Sequence, residues 1–145
     1  MSNIKTLDLI IWGATGFTGQ LVSQYINNTY SNTNLKWGIA GRNKEKIFFI
    51  ANKLKINDNR VFIADSNNIE SLIKLTSQTK VICTTVGPYA KLGTNLIEAC
   101  ISSGTNYCDI TGETQWIRRI IDKYHKLAEE KNIKIINSCG FDSIP

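Results

Sequence analysis

Short apolar runs alternate with amphipathic stretches along the whole chain. Leu7 to Trp12 (LDLIIW) is apolar with a single charge, as expected of a strand buried on both faces. Past a break at Gly13, the spacing of Leu21, Val22, Tyr25 and Ile26 predicts a helix that begins near Phe17. The pattern then repeats. Leu35 to Ala40 reads as a strand, and Lys44 to Leu54 as a helix with Ile47, Ile50, Ala51 and Leu54 on one face. Arg60 to Ala64 is a third strand, and Ile69 to Leu75 a short helix capped by Ser66 or an asparagine. Lys80 to Thr85 is a fourth strand, and Gly93 to Ser103 a helix stopped by Gly104. Asn106 to Asp109 is a short fifth strand. Thr114 to Lys131 is the longest helix, with Trp116, Ile120, Tyr124 and Leu127 as its core stripe, and Lys134 to Ser138 is a sixth strand.

Strands alternating with helices predict an α/β fold, a doubly wound parallel six-stranded sheet of the Rossmann type. Right-handed crossovers then gather the loops after strands one, four and five around one crevice. These are Gly13 to Thr18, Val86 to Tyr89 and Asp109 to Glu113.

The first of these loops carries the clearest chemistry. Gly13, Gly16 and Gly19 form GxxGxxG between a buried strand and an amphipathic helix, where a diphosphate can lie on backbone amides. Three glycines in a turn can also be only a turn; the flanking strand and helix favour the binding reading. The second signal stands at the end of strand two. An acid there would hold the free ribose hydroxyl of NAD, whereas an arginine suits the 2′-phosphate of NADP. Arg42 occupies that position, with Lys44 and Lys46 close behind and no acid before them. A guanidinium pairs with phosphate through two parallel hydrogen bonds, so NADP is the expected cofactor. The plainer alternative makes Arg42 a solvated residue at a helix start.

Composition narrows the classes further. At 145 residues, 42% hydrophobic and 20% charged, the chain suits one domain with a sizeable core. The net charge of +5 is spread along the sequence without a basic run interleaved with aromatics, which argues against nucleic acid as a partner. No apolar stretch reaches the ~20 residues of a membrane helix, and MSNIKT lacks the core of a secretion signal, so a cytoplasmic location is expected. Cys83, Cys100, Cys108 and Cys139 sit singly in apolar contexts without a CxxC pair, and only His125 could supplement them. They are expected to be reduced, buried and inert, and no metal is expected.

Five segments, GATGFTGQLVSQY, IAGRNKEKI, TTVGPYAKLG, GTNYCDITGE and CGFDSIP, stand in this order from Asp8 to Pro145. Together they resemble the saccharopine dehydrogenase-like oxidoreductases, in the branch that includes the trans-acting enoyl reductases. The resemblance implies that Gly13, Thr15, Gly16, Phe17, Thr18 and Gly19 take the pyrophosphate. It implies Arg42 for the adenosine phosphate, Asp65 for the adenine, and Thr85, Val86, Gly87 and Pro88 beside the nicotinamide ribose. It further implies that residues 1–145 are the NADP-binding domain and that a second, substrate domain is absent from this chain. A small-molecule or lipid-derived substrate, a homodimer, glycolipid metabolism and lipid-droplet or membrane association belong to the same expectation.

A proton donor is harder to find. The Tyr-x-x-x-Lys pair of short-chain dehydrogenases is missing, because Tyr25, Tyr89, Tyr107 and Tyr124 are followed at that offset by Thr29, Gly93, Thr111 and Ala128. Tyr89, Asp109 and Glu113 come from crevice loops, although Asp109 and Glu113 equally suit caps for the helix that begins near Thr114. Asp142 and Ser143 stand at the mouth where substrate would approach, and His125 falls in mid-helix, partly exposed. The catalytic residues stay unassigned. Three readings follow: an NADP-dependent oxidoreductase domain, an NADP-binding sensor or interaction module without turnover, and a folded remnant that binds nothing.

Overall fold

Parallel strands cannot be joined by tight turns, so each crossover carries a helix back over the sheet. The computed structural model describes residues 5–140 and shows this arrangement throughout. The strands are β1 (Leu7–Trp12), β2 (Trp37–Gly41), β3 (Val61–Ile63), β4 (Thr79–Thr84), β5 (Asn106–Asp109) and β6 (Ile135–Ile136). They form one parallel sheet in the order β3-β2-β1-β4-β5-β6. The helices are α1 (Phe17–Tyr30), α2 (Lys44–Leu54), α3 (Ile69–Thr76), α4 (Tyr89–Leu92), α5 (Thr94–Ser103) and α6 (Thr114–Glu130). The chain reverses its direction of travel across the sheet between β1 and β4, and a crevice opens there at the C-terminal ends of the strands.

Strand pleating divides the core into two. Ile10, Trp12, Ile82 and Tyr107 point to the face covered by α3, α5 and α6, where Leu72, Leu96, Ile97, Trp116 and Ile120 meet them. Ile11 and Ile39 point the other way, to Ile47, Ile50 and Ala51 of α2. The register Ile10–Ile82–Tyr107 beside Ile11–Cys83–Cys108 keeps these rows straight across three strands.

Most differences from the expected elements have local causes. Arg60 belongs to a single 3-10 turn, Asp58–Arg60, so β3 starts one residue later. The helix expected from Gly93 is α5, and Tyr89–Leu92 adds a turn of helix ahead of it that was not expected. β6 is only two residues long, because the groups that would extend it go to Asp109. The Ser138 amide bonds its Oδ1 (2.9 Å), the Asn137 amide group its Oδ2 (2.7 Å), and the Cys139 amide its carbonyl (2.7 Å). On α1 the expected stripe is half wrong. Val22 and Ile26 pack inward, but Leu21 and Tyr25 face solvent, and Gly19 and Ser23 make the close approach to the sheet. On α6 the i+4 row Trp116, Ile120, Tyr124 is continued by Ala128, which leaves Leu127 exposed. Asn68, not Ser66, caps α3, accepting from the Ser71 amide at 3.0 Å.

The cysteines also depart from expectation. Cys100 is fully buried, but Cys83, Cys108 and Cys139 are only half-buried. On the Cys83 face α1 and α2 pack against β1, β2 and β3, and Cys83 sits half-buried at the edge of the core they cover. Among the described residues no helix is long and apolar enough to cross a membrane. Asp142 and Ser143 lie outside the described residues.

Candidate functional site

The crevice floor is built by backbone meeting backbone. Gly13 turns the chain off β1 at φ +90°, and a Cβ there would lie 2.6 Å from Val86 Cγ2. The Gly13 and Ala14 amides both donate to the Ala40 carbonyl (3.0 and 3.2 Å), which ties the turn to β2. Gly19 lies still closer, since its Cβ would fall 2.0 Å from the Gly13 carbonyl oxygen, so only glycine lets α1 sit this near the turn. Gly16 is different. Its Cβ would meet a single atom, the Gly13 carbonyl oxygen at 3.4 Å, and otherwise it borders empty space. No side chain caps α1, so its first-turn amides and the positive end of its dipole are left for an anion.

That space is a cavity of about 540 Å³. Its walls come from four loops: Gly13, Thr15 and Gly16 after β1; Arg42, Asn43 and Lys46 after β2; Ser66 and Asn67 after β3; Thr85, Val86 and Gly87 after β4. Arg42 and Lys46 are the charged residues in this lining, and neither aspartate nor glutamate is among them. The cavity therefore presents unpaired amides and cationic side chains, a setting for a ligand with several negative charges. The size suits a ligand of several linked rings and phosphates.

The structure brings together seven of the residues expected from the sequence: Gly13, Thr15, Gly16, Arg42, Thr85, Val86 and Gly87. Gly19 supports the floor from behind. Phe17 is 81% exposed on α1 beside the exposed Thr18, and Pro88 leads into α4 after a cis Gly87–Pro88 peptide. Asp65 does not line the cavity. Its carboxylate accepts from the Asn67 amide (2.9 Å) within its own turn, and its amide donates to Ser71 Oγ (3.0 Å). Asn43, Ser66, Asn67 and Leu92 line the cavity without having been expected there. For Ser66 and Asn67 a signal existed, namely two small polar residues just past the end of a strand, where the crevice loops all lie.

The wall after β4 and β5 is made of buried polar side chains. The Tyr89 hydroxyl donates to the Thr84 carbonyl (3.2 Å), and burial pushes the phenol up to about 12. It is turned into the protein and not toward the cavity. Asp109, 1% exposed, accepts from the Tyr107 hydroxyl (2.7 Å), the Thr111 amide (3.1 Å), Asn137 and the Ser138 amide. Glu113 precedes α6 but makes no cap bond to it; its carboxylate accepts from the Tyr89 and Ala90 amides (2.7 and 2.9 Å). The expected caps thus act elsewhere: Glu113 on α4, and Asp109 on the turn after β6. His125 is exposed on α6, and no group of three or more metal-ligating side chains occurs among the described residues.

Residues 9–136 match the family described as the saccharopine dehydrogenase NADP binding domain. The trans-acting enoyl reductase of Mycobacterium ulcerans is 37% identical over 143 residues, covering 97% of this chain and 34% of that protein. The enzyme of the same name from Mycobacterium tuberculosis gives the same identity and coverage. The chain thus spans about a third of the length of the curated relatives it matches. Among solved structures, apo saccharopine dehydrogenase (L-Glu forming) from Saccharomyces cerevisiae superposes with a TM-score of 0.77 at 17% identity, covering 94% of this chain and 28% of that one. Leucoanthocyanidin reductase of Vitis vinifera, in binary complex with NADPH, gives 0.61 at 19%, covering 90% and 48%. At these identities the likeness is one of fold.

Proposed function

The chain belongs to the saccharopine dehydrogenase NADP-binding domain family, and from that premise we propose that its crevice holds NADP(H) for hydride transfer to or from an acyl-type substrate. NADP is the cofactor of this family. The observation that carries the reading is the open space over Gly16 at an uncapped helix start, facing Arg42 across the cavity. In it, the amides of Phe17 and Thr18 would take the pyrophosphate over the open face of Gly16, whose own amide donates to the Gly13 carbonyl (3.0 Å), with Gly13 and Gly19 holding the turn and Thr15 beside it. Arg42, with Lys46, would take the 2′-phosphate. Ser66 and Asn67, which line the cavity where Asp65 does not, would stand nearest the adenine. Thr85, Val86 and Gly87 would flank the nicotinamide ribose, with Pro88 fixing the exit of that loop. When bound, the nicotinamide supplies the hydride; the chain's own residues bind and orient it.

Relatives 37% identical and named enoyl reductases support an acyl acceptor, and the motifs that resemble that branch support a lipid-derived one. A cofactor-binding module without turnover is the second reading. It is favoured by the fact that Tyr89, Asp109 and Glu113, the candidate donors, all spend their polar atoms on the fold.

Fluorescence titration with NADPH tests the binding half of this reading. Wild type should bind, and Gly16→Val should fold normally yet lose binding, because its side chain would fill the phosphate space. NADPH binding retained by a folded Gly16→Val protein would remove the glycine loop from its role. Acceptor-dependent NADPH oxidation by the 145-residue chain would decide against the module reading.

A further inference from the structure

Cys83 in β4 and Cys108 in β5 stand directly opposite each other in parallel register. In-register neighbours leave a sheet on the same face, so both thiols project to the side that carries α1 and α2. Both thiols are half-buried, with Cys83 packed at the edge of the core on that side. Adjacent parallel strands lie about 4.8 Å apart, inside the Cα separation of about 4.4–6.8 Å that a disulfide spans. Both residues belong to strands paired along their length, so neither backbone need move far for the sulfurs to meet.

The two thiols are direct neighbours across the β4–β5 pairing, each the other's nearest titratable partner in register. This contact holds the Cys83 thiol below the usual thiol range, and with burial it pushes Cys108 above it. The lowered direction at Cys83 suits it to the part of nucleophile, with Cys108 as the resolving partner. Cys100 cannot take part, because it is fully buried in the opposite core. Cys139, half-buried after β6, is the remaining rival partner.

The geometry points to a redox-active dithiol, in which Cys83 and Cys108 form a reversible cross-strand disulfide when they meet a peroxide. Cys83 thiolate attacks one peroxide oxygen, the O–O bond breaks, and hydroxide leaves, giving a sulfenic acid. The Cys108 sulfur then attacks the Cys83 sulfur; its proton joins the departing hydroxide as water. Two thiols lose two electrons in all, and the peroxide is reduced to two waters. The resulting link staples β4 to β5 one residue before Thr84 and Asp109. A bond imposed on neighbouring strands carries some strain, so it should yield readily to dithiols.

The test is peptide mapping of the whole chain after treatment with hydrogen peroxide and alkylation of the remaining thiols. The expected product is a Cys83–Cys108 cross-linked peptide that has lost two hydrogens, with Cys100 alkylated only after unfolding and the link reversed by dithiothreitol. Cys83→Ser and Cys108→Ser, which are nearly isosteric, should retain the native circular dichroism spectrum and lack the link. In Cys108→Ser, Cys83 should advance to sulfinic acid. A link through Cys139, oxidation of Cys83 in wild type to sulfinic acid without a link, or four thiols left intact would each overturn the proposal.

Discussion

The two halves of the sheet solve the same problem by different means. From β1 to α2, close contact is made by glycines: Gly13 and Gly19 bring the turn, the helix and the β4 loop within van der Waals reach. Of the buried polar residues, Ser23 alone belongs to this half. From β3 onward, Ser66, Thr76, Thr79, Thr84, Thr105, Asp109 and Thr111 are all buried, and Thr76, Thr105 and Asp109 bond distant backbone. Thr105, for example, donates to the carbonyls of Thr76 (2.7 Å) and Thr79 (3.2 Å). Coverage differs as well. β1 lies between helices on both faces, whereas Cys83 and Cys108 leave one face of β4 and β5 half open. The first half leaves the first-turn amides of α1 unpaired, and the second consumes its polar groups in holding loops.

If this contrast is real, the two halves should fail differently. The largest effect is expected from Gly19→Val. A side chain 2.0 Å from the Gly13 carbonyl oxygen must push α1 off the turn, at a cost of roughly 3 kcal/mol or more. A thermal melt should show the loss; a variant with unchanged Tm would mean that the turn is softer than its geometry. Next is Asp109→Ala, which strands the Tyr107 hydroxyl and the Thr111 and Ser138 amides, and should cost about 2–3 kcal/mol. Urea unfolding checks this value. A change under a few tenths of a kcal/mol would show that the second half does not depend on this carboxylate. The smallest is Glu113→Ala, which uncaps α4 and should cost about 1 kcal/mol. Hydrogen exchange should then rise at Tyr89 and Ala90 while α1 stays protected. Equal loosening of both helices would erase the distinction between the halves.

The same contrast explains what could be read from the sequence. Glycine spacing and the apolar rows of β1, β2 and β4 are local signals, so the sheet, its parallel winding and the Gly13–Gly16–Gly19 turn were legible. Arg42's place in the cavity was legible because it follows directly from the end of β2. Glu113 was not, because its partners Tyr89 and Ala90 are 24 and 23 residues away, and a carboxylate beside Thr114 looks locally like a cap for α6. Asp65 misled for a related reason, since its carboxylate is drawn into an Asx turn with Asn67 and leaves the cavity to Ser66 and Asn67. The half-buried thiols depended on tertiary packing over β4 and β5, which no window of sequence contains.

The central claim is that the glycine-built half holds NADPH through free amides and one arginine. Calorimetric titration of NADPH and NADH against wild type and Arg42→Ala tests it most directly. A charge-assisted hydrogen bond is worth roughly 1.5–3 kcal/mol, or about one to two powers of ten in affinity. Arg42→Ala should weaken NADPH by about that factor and leave NADH nearly unchanged. The wild-type preference for NADPH should also narrow as salt rises, because Arg42 is exposed. Equal losses for the two cofactors would contradict the account, since Arg42 would then support the loop and not read the phosphate.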